Sequence, residues 1–552
     1  MKKCILLLVV LLSYTVFSQI NITNISSYQV FQRDILGNAD IPIEGTYQGN
    51  PQSIEAKWNT SDIWTTLSID TNGSNTFSGS LINQPEGQGI LEVRFSNNPS
   101  VKDTVVNVGV GDIYVIAGQS NASGRGTTLN SYMHSELKAT LFGNDDVWKE
   151  LTDASDSDIN QVDEVSADGI AKGSIWPLIA TDIMEAEGVP VAFIPTARGG
   201  TRIIQWQPVA DHSDPLTLYG SMHRRINAVG GKIKGILFFQ GESDAQMDTT
   251  LSDYENLLNN YVNTVVSDFP GVSVIIGQIG HANFDGLDAI REAQINVVTS
   301  NSNAHIGPAT YDINLSDENG DTLHYKSDND IQEFARRWFS AIHSAYYDGI
   351  NSYGPIVIAS DISYNLMDNK ITVPFNGNTS PIINPASTVT TNSFELSNNT
   401  IIPISSFLIT NNTIEITPSS VLDINQPITL TYASLNEAVD AAIYDSENLP
   451  AQNFYNRTVR VEDVLSTSNF SKNNLSIYPN PVQESLFISF DSNANKEVVL
   501  EMYSVTGQLI VTKTTYASDH ILNLNTSTLP SGIYYLHFLT ETNQLVKKII
   551  KM

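Results

Sequence analysis

Between Asp112 and about Tyr347 the chain alternates short apolar runs with longer amphipathic segments, and this pattern leaves few architectures open. Residues 113–117, 191–194, 236–239, 272–277 and a weaker run at 305–311 have strand length and strand composition. Residues 181–187, 254–266, 287–298 and 331–345 carry apolar positions at helical spacing. Strands alternating with helices build a parallel sheet covered on both faces, because each crossover returns over the sheet. Ligands of such sheets bind beyond the C-terminal ends of the strands. The residues just after each apolar run are therefore where chemistry is expected.

The flanks read differently. Residues 20–110 show short alternating runs such as Ile54-Glu55-Ala56-Lys57-Trp58, separated by Asn, Gly, Ser and Pro, which predicts a small β-sandwich. Trp58 and Trp64 fit its core better than a sugar platform, since sandwich tryptophans are usually buried. Residues 354–462 return to β pattern, 463–474 form a polar linker, and 475–552 are again short strands. At 552 residues the chain is too long for one core, and roughly three to five domains are expected.

Lys2-Lys3, an apolar run over residues 5–12, and Val16-Phe17-Ser18 make residues 1–18 a signal peptide, implying secretion. That run is too short to anchor the chain across a bilayer, and no other segment reads as membrane-spanning. The sole cysteine, Cys4, lies inside the leader, so disulfides, zinc–thiolate sites and a cysteine nucleophile are not expected. The formal net charge of −30 argues against nucleic-acid and anionic-lipid partners. The acidic stretch from Asp153 to Asp168 lacks the glycine spacing of a calcium loop and reads as a solvated surface loop. No metal site and no cofactor are expected.

Four strand ends carry suggestive residues. Gly118-Gln119-Ser120-Asn121 follows the first strand, where a serine at a strand-to-helix turn exposes its hydroxyl and the local amides. Ala197-Arg198-Gly199-Gly200-Thr201 follows the second; its glycines let a backbone amide approach a ligand closely. Gln240-Gly241-Glu242-Ser243-Asp244 follows the third, offering a neutral amide donor and acids that either orient neighbours or complement a helix N-terminus. Asp321-Thr322-Leu323-His324 places a carboxylate where it can fix the tautomer of a basic imidazole. Each signal has an ordinary structural explanation, a turn or a cap; their shared placement makes the joint case. A glycosidase pair built on Glu242 lacks a second acid on a comparable loop.

Taken in order, these four motifs resemble the sialate O-acetylesterase-like branch of the SGNH hydrolases, which includes the acetylxylan esterases of carbohydrate esterase family 6. The resemblance covers about residues 111–347 and implies a three-layer α/β/α, flavodoxin-like catalytic domain over 111–350, flanked by all-β sandwich domains. It implies a metal-free serine esterase acting on acetylated polysaccharide or oligosaccharide. Ser120 would be the nucleophile, His324 the base and Asp321 its partner. The oxyanion hole would be Ser120, Gly199 or Gly200, and Gln240, with Gln119, Asn121 and Glu242 in support. Trp206 is the candidate for stacking on a sugar ring, beside an equally ready core role. The first block lacks Gly-Asp-Ser-Leu and the third lacks Gly-x-Asn-Asp, so the chain departs from the general SGNH pattern as this branch does. Two other readings stand beside the esterase: a non-catalytic surface carbohydrate-binding protein, and a lipase or peptidase. The tail, with Tyr478-Pro479-Asn480-Pro481, Val505-Thr506-Gly507-Gln508, Pro530-Ser531-Gly532-Ile533-Tyr534 and a basic end, resembles the type IX secretion sorting domain of Bacteroidetes. It implies the type IX machinery as a partner and release or surface attachment.

Overall fold

The computed structural model describes residues 19–552 except 60–61, 71, 283, 314–320, 348–352, 377–392, 411, 434–442, 463–474, 491–496, 517–520 and 540–543. The expected leader at 1–18, with Cys4, and the expected linker at 463–474 lie outside the described residues.

One strand organises the first half of the molecule. Asn98–Gly118 runs for 21 residues, polar and alternating at its start and fully buried from Val108 onward. Its first part pairs antiparallel with Gly87–Phe95, and its last part pairs parallel with both Val191–Pro195 and Gly235–Phe239. The expected boundary near residue 110 thus falls inside a strand rather than in a linker. Val105, Val108 and Val110 pack in the core of the N-terminal sheet, whereas Ile113 to Ala117 pack in the α/β core.

The parallel sheet runs in the order Thr140–Phe142, Val191–Pro195, Asn98–Gly118, Gly235–Phe239, Val274–Ile276, Ala304–Ile306, with Trp148–Glu150 added antiparallel at one edge. Later strands extend the sheet to both sides of the first one, so strand order reverses at Gly118. Such a reversal opens a crevice at the strand's carboxyl end. Neighbouring residues on one strand meet different helices. Phe238 packs on Tyr261 and Trp206 at 4.8 and 5.6 Å between centroids, and Phe239 packs on Phe334 at 5.0 Å.

The helices are α1 (Ser120–Ser123), α2 (Trp176–Glu187), α3 (Leu218–Ala228), α4 (Glu242–Gln246), α5 (Leu251–Asp268), α6 (Leu287–Ser300) and α7 (Asp328–Tyr346). Helices α5 and α7 begin earlier than apolar spacing predicts, because capping adds a polar first turn. Ser327 accepts from the Asp330 amide before α7, and Thr250 accepts from the Asp253 amide before α5. Helix α3 goes unpredicted, although Thr217 caps it and Tyr219, Met222 and Ile226 form its buried face.

Two further cores, around Tyr364–Tyr432 and around Leu486–Phe538, hold the C-terminal sheets. Gly354 and Pro450 come together there: at φ +80° a Cβ on Gly354 would lie 2.1 Å from the Pro450 carbonyl oxygen. No helix among the described residues is long and apolar enough to cross a membrane.

The acidic stretch corrects one expectation. Asp156, Asp163 and Asp168 are buried, while Ile159, Val162 and Ile170 face outward. Each buried acid accepts at least one hydrogen bond, which offsets part of the lost water, although Asp156 Oδ2 lacks a partner among the described residues. Asn144 donates to Asp156, Ser221 and Arg224 donate to Asp163, and Arg125 donates to Asp168.

Candidate active site

At the end of the central strand Gly118 adopts φ +127°, and a Cβ there would lie 2.0 Å from the Phe239 carbonyl oxygen. Only glycine fits, and the sharp turn it permits delivers Ser120 to the first position of α1. Ser120 is 4% exposed. His324, 204 residues later, places Nε2 at 3.0 Å from Ser120 Oγ and Nδ1 at 2.9 Å from Asp321 Oδ2. Asp321 Oδ1 also accepts from the backbone amides of Leu323 and His324, so the loop is wound around its own carboxylate. Partial burial alone would raise the Asp321 pKa. The Lys326 ammonium at 2.6 Å, with the His324 bond and the Leu323 amide, instead holds it well below the usual carboxylate range. A permanently ionised acid on Nδ1 leaves Nε2 free to take a proton from the hydroxyl.

Asn121 brackets the histidine. Its Nδ2 donates to Leu323 O at 3.1 Å and its Oδ1 accepts from the Tyr325 amide at 3.3 Å, the peptides on either side of His324. The same Nδ2 donates to Glu242 Oε1 at 2.7 Å. Glu242 is buried and its Oε2 lacks a hydrogen-bond partner among the described residues. Burial pushes its carboxyl up to about 7, against the Asn121 bond.

A folded-state pKa raised above that of the unfolded chain means the folded state binds the extra proton. Stability therefore falls as pH rises from about 4.5 to about 7. Glu242→Gln removes that term, so it should gain about 3 kcal/mol relative to the parent at pH 8 but almost nothing at pH 4. Denaturant unfolding of both proteins across this range is the check; a gain independent of pH would contradict it.

Gln119 Oε1 accepts from Gln240 Nε2 and from the amides of Gly241 and Ser243, each at 3.3 Å. The turn of Ser120 and the third motif are thereby tied together. Gln240, expected as an oxyanion donor, is fully buried. Its amide faces Thr201 O at 2.9 Å and Asp244 Oδ2 at 2.7 Å, closer than Gln119 Oε1, so its two hydrogens are directed into the protein. Asp244 also accepts from the Ile203 amide, so it anchors a neighbouring loop as well as standing in the first turn of α4.

The second motif reaches the same place, since the Arg198 amide donates to Gly118 O at 3.0 Å. A Cβ on Gly199 would lie 3.4 Å from Ser120 Cβ. The Gly199 amide, however, donates to Asp168 Oδ2 at 2.8 Å. Gly200 is exposed at φ +74°, with open space around it.

Trp206 does not serve as a sugar platform. It is 0% exposed, packed edge-on against Phe238 and Tyr261, with Nε1 donating to Thr201 Oγ1. Trp58 is likewise buried, and Trp64 lies under Arg94 at 3.4 Å from the ring centroid. A cleft of about 490 Å³ beside the Arg198 turn is lined by Glu164, Val165, Arg198, Thr201, Gln205 and Leu216. A larger one of about 740 Å³, around Tyr132, His134 and Glu150, includes none of the residues above. Among the described residues no three or more His, Cys, Asp or Glu side chains form a metal-binding group.

Sequence reading misses Ser123, Arg125 and Asp168, which are joined to one another and to the Gly199 amide beside Ser120. The one signal for Ser123 is its place one helical turn after Ser120. Asp168 is indistinguishable from its acidic neighbours until the chain folds.

The model of the family described as carbohydrate esterase, sialic acid-specific acetylesterase matches residues 110–341. That of the secretion system C-terminal sorting domain matches residues 476–552, which implies secretion or placement at the cell surface. A probable carbohydrate esterase of Arabidopsis thaliana is 26% identical over 204 residues, 34% of this chain and 76% of that protein. The crystal structure of a carbohydrate acetylesterase from Xanthomonas citri covers 79% of this chain and 99% of its own, with TM-score 0.55 and 15% identity. At that identity the likeness is one of fold.

Proposed function

We propose, for a chain whose residues 110–341 match the model of the sialic acid-specific acetylesterase family of carbohydrate esterases, that Ser120 removes O-acetyl groups from a glycan with His324 as base and Asp321 behind it. The observation that carries this reading is the unbroken line of contacts from Asp321 Oδ2 through both nitrogens of His324 to Ser120 Oγ.

Ser120 Oγ attacks the acetyl carbonyl carbon while Nε2 of His324 takes the hydroxyl proton. Asp321, ionised, stabilises the imidazolium that results. The carbonyl oxygen, now negative, is received by the amides of Ser120 and Gly200, while the Gly199 amide is held by Asp168. Gln240 is assigned to positioning, because its hydrogens are committed to Thr201 and Asp244. Each donor lost from such a hole typically costs about 3–4 kcal/mol. His324 then protonates the departing sugar oxygen, leaving acetyl on Ser120. Water, deprotonated by His324, attacks that ester and releases acetate.

The cleft beside Arg198 is our candidate for the neighbouring sugar unit, being next to the turn that meets Ser120. The split packing of Phe238 and Phe239 supports a three-layer α/β/α, SGNH-type arrangement of the catalytic domain. We read residues 20–110 and 354–462 as β-sandwich domains, 1–18 as a leader and 463–474 as a linker before the sorting domain.

Labelling the full chain with a fluorophosphonate should modify Ser120 alone. p-Nitrophenyl acetate should turn over at least about tenfold faster than the octanoate, because one or two methylenes already decide such fits by about 1–3 kcal/mol each. Labelling elsewhere would refute the assignment, and faster long-chain turnover would favour a lipase. Acetate release across acetylated xylan, pectin and sialylated glycans identifies the substrate.

A further inference from the structure

Asp168 and Arg125 form an ion pair whose side chains are 7% and 9% exposed, beside the proposed nucleophile. Three donors converge on one oxygen, Asp168 Oδ2: Arg125 Nη2 at 2.5 Å, the Gly199 amide at 2.8 Å and Ser123 Oγ at 2.9 Å. They come from the turn of Ser120, the loop that follows it and the second motif. Arg125 Nη1 also donates to Ser123 Oγ and to Gly124 O, which binds the guanidinium to that same turn.

A Cβ added to Gly199 would lie 2.6 Å from Asp168 Oδ2 and 3.4 Å from Ser120 Cβ, so the carboxylate faces the nucleophile across little more than one methyl group. Burial would raise the Asp168 pKa, but the Arg125 contacts, with Ser123 and the Ile170 amide, hold it below the usual range and keep it ionised. A bare anion at this distance opposes a second anion forming on the acetyl carbonyl. Arg125 sits on the oxygen that faces the site and cancels that charge.

We propose that the Arg125–Asp168 pair is a positioning and charge-balancing device for the ester-cleaving step. Asp168 holds the Gly199 peptide against the turn of Ser120, and Arg125 neutralises Asp168 so that an oxyanion can form beside it. The proposal rests on the esterase reading above. It makes Asp168 and Arg125 positioning residues that act through Gly199 and Ser123, not groups that touch substrate.

The test compares Asp168→Asn, Arg125→Met and the double variant in the full chain on p-nitrophenyl acetate, below all unfolding transitions. Asp168→Asn should lower kcat about 10–100-fold with KM within about threefold, the scale of a small misplacement of catalytic groups. Arg125→Met should lose more, because it bares the carboxylate. Removing that carboxylate in Arg125→Met/Asp168→Asn should then recover kcat at least about fivefold over Arg125→Met. A purely structural pair would move thermal midpoints without this order of kcat values. The proposal is overturned if Asp168→Asn keeps kcat within about twofold of the parent, or if the double variant is no faster than Arg125→Met. Where a single variant does not fold, the uncharged double variant decides: a kcat at least about tenfold below the parent supports the pair and a parental kcat overturns it. Ser120→Ala in the same assay separates the two readings, since its full activity would sink the esterase assignment and not the pair alone.

Discussion

Ser120→Ala and His324→Ala are each expected to lower kcat by about a million-fold, and Asp321→Asn by about 10⁴-fold. The losses should not add, because the three groups act as a unit: once the hydroxyl is gone, the base has nothing to deprotonate. Asp321→Asn has a specific cause. An amide NH2 facing Nδ1 cannot accept its proton, so the imidazole turns to the tautomer whose Nε2 carries hydrogen and cannot act as a base. Lys326, 2.6 Å from the Asp321 carboxylate, is left facing a neutral group. Acetate release and circular dichroism on purified variants test this together. A folded Ser120→Ala protein retaining even a tenth of parental activity would remove Ser120 from the mechanism.

The second large effect concerns stability, far from the chemistry. Asp112 is fully buried where the central strand enters the parallel sheet. Its carboxylate accepts from Arg33 Nε and Nη2, Gln32 Nε2 and Tyr347 OH, with Lys234 at 3.8 Å. Asp112→Ala takes the buried acceptor from a partly buried guanidinium, leaving it Glu86 alone, and from the half-buried phenol of Tyr347. Breaking a buried pair from one side typically costs about 3–5 kcal/mol. A fall of about 10 °C in the unfolding midpoint of the α/β core is expected. Denaturant curves followed by tryptophan fluorescence are the check, and a loss under about 1 kcal/mol would contradict it.

What the sequence discloses of this molecule follows from what is local. Apolar runs and their turns are local, so the strands ending at Gly118, Pro195 and Phe239 can be read, and the rule for open parallel sheets points to the residues beyond them. Asp321 and His324 lie three residues apart, within one loop. Partners distant in the chain are not legible in this way. Nothing before folding says that the Gln240 amide is committed to Thr201 and Asp244, or that Gly199 gives its hydrogen to Asp168. Trp206 misleads because a large ring near a glycine turn serves equally as a ligand surface or as a core residue, and only packing against Phe238 and Tyr261 distinguishes them. The acidic stretch misleads for a related reason: charge predicts exposure only while no partner is known.

The 21-residue strand from Asn98 to Gly118 has a mechanical meaning. A sugar-binding module on a flexible tether raises the local concentration of its ligand throughout the volume its linker can sweep. A sheet that shares a continuous strand with the catalytic core sweeps nothing. Any polymer gripped by the N-terminal sheet would meet Ser120 at one fixed bearing and one fixed span, as cloth meets the needle in a machine with a rigid foot.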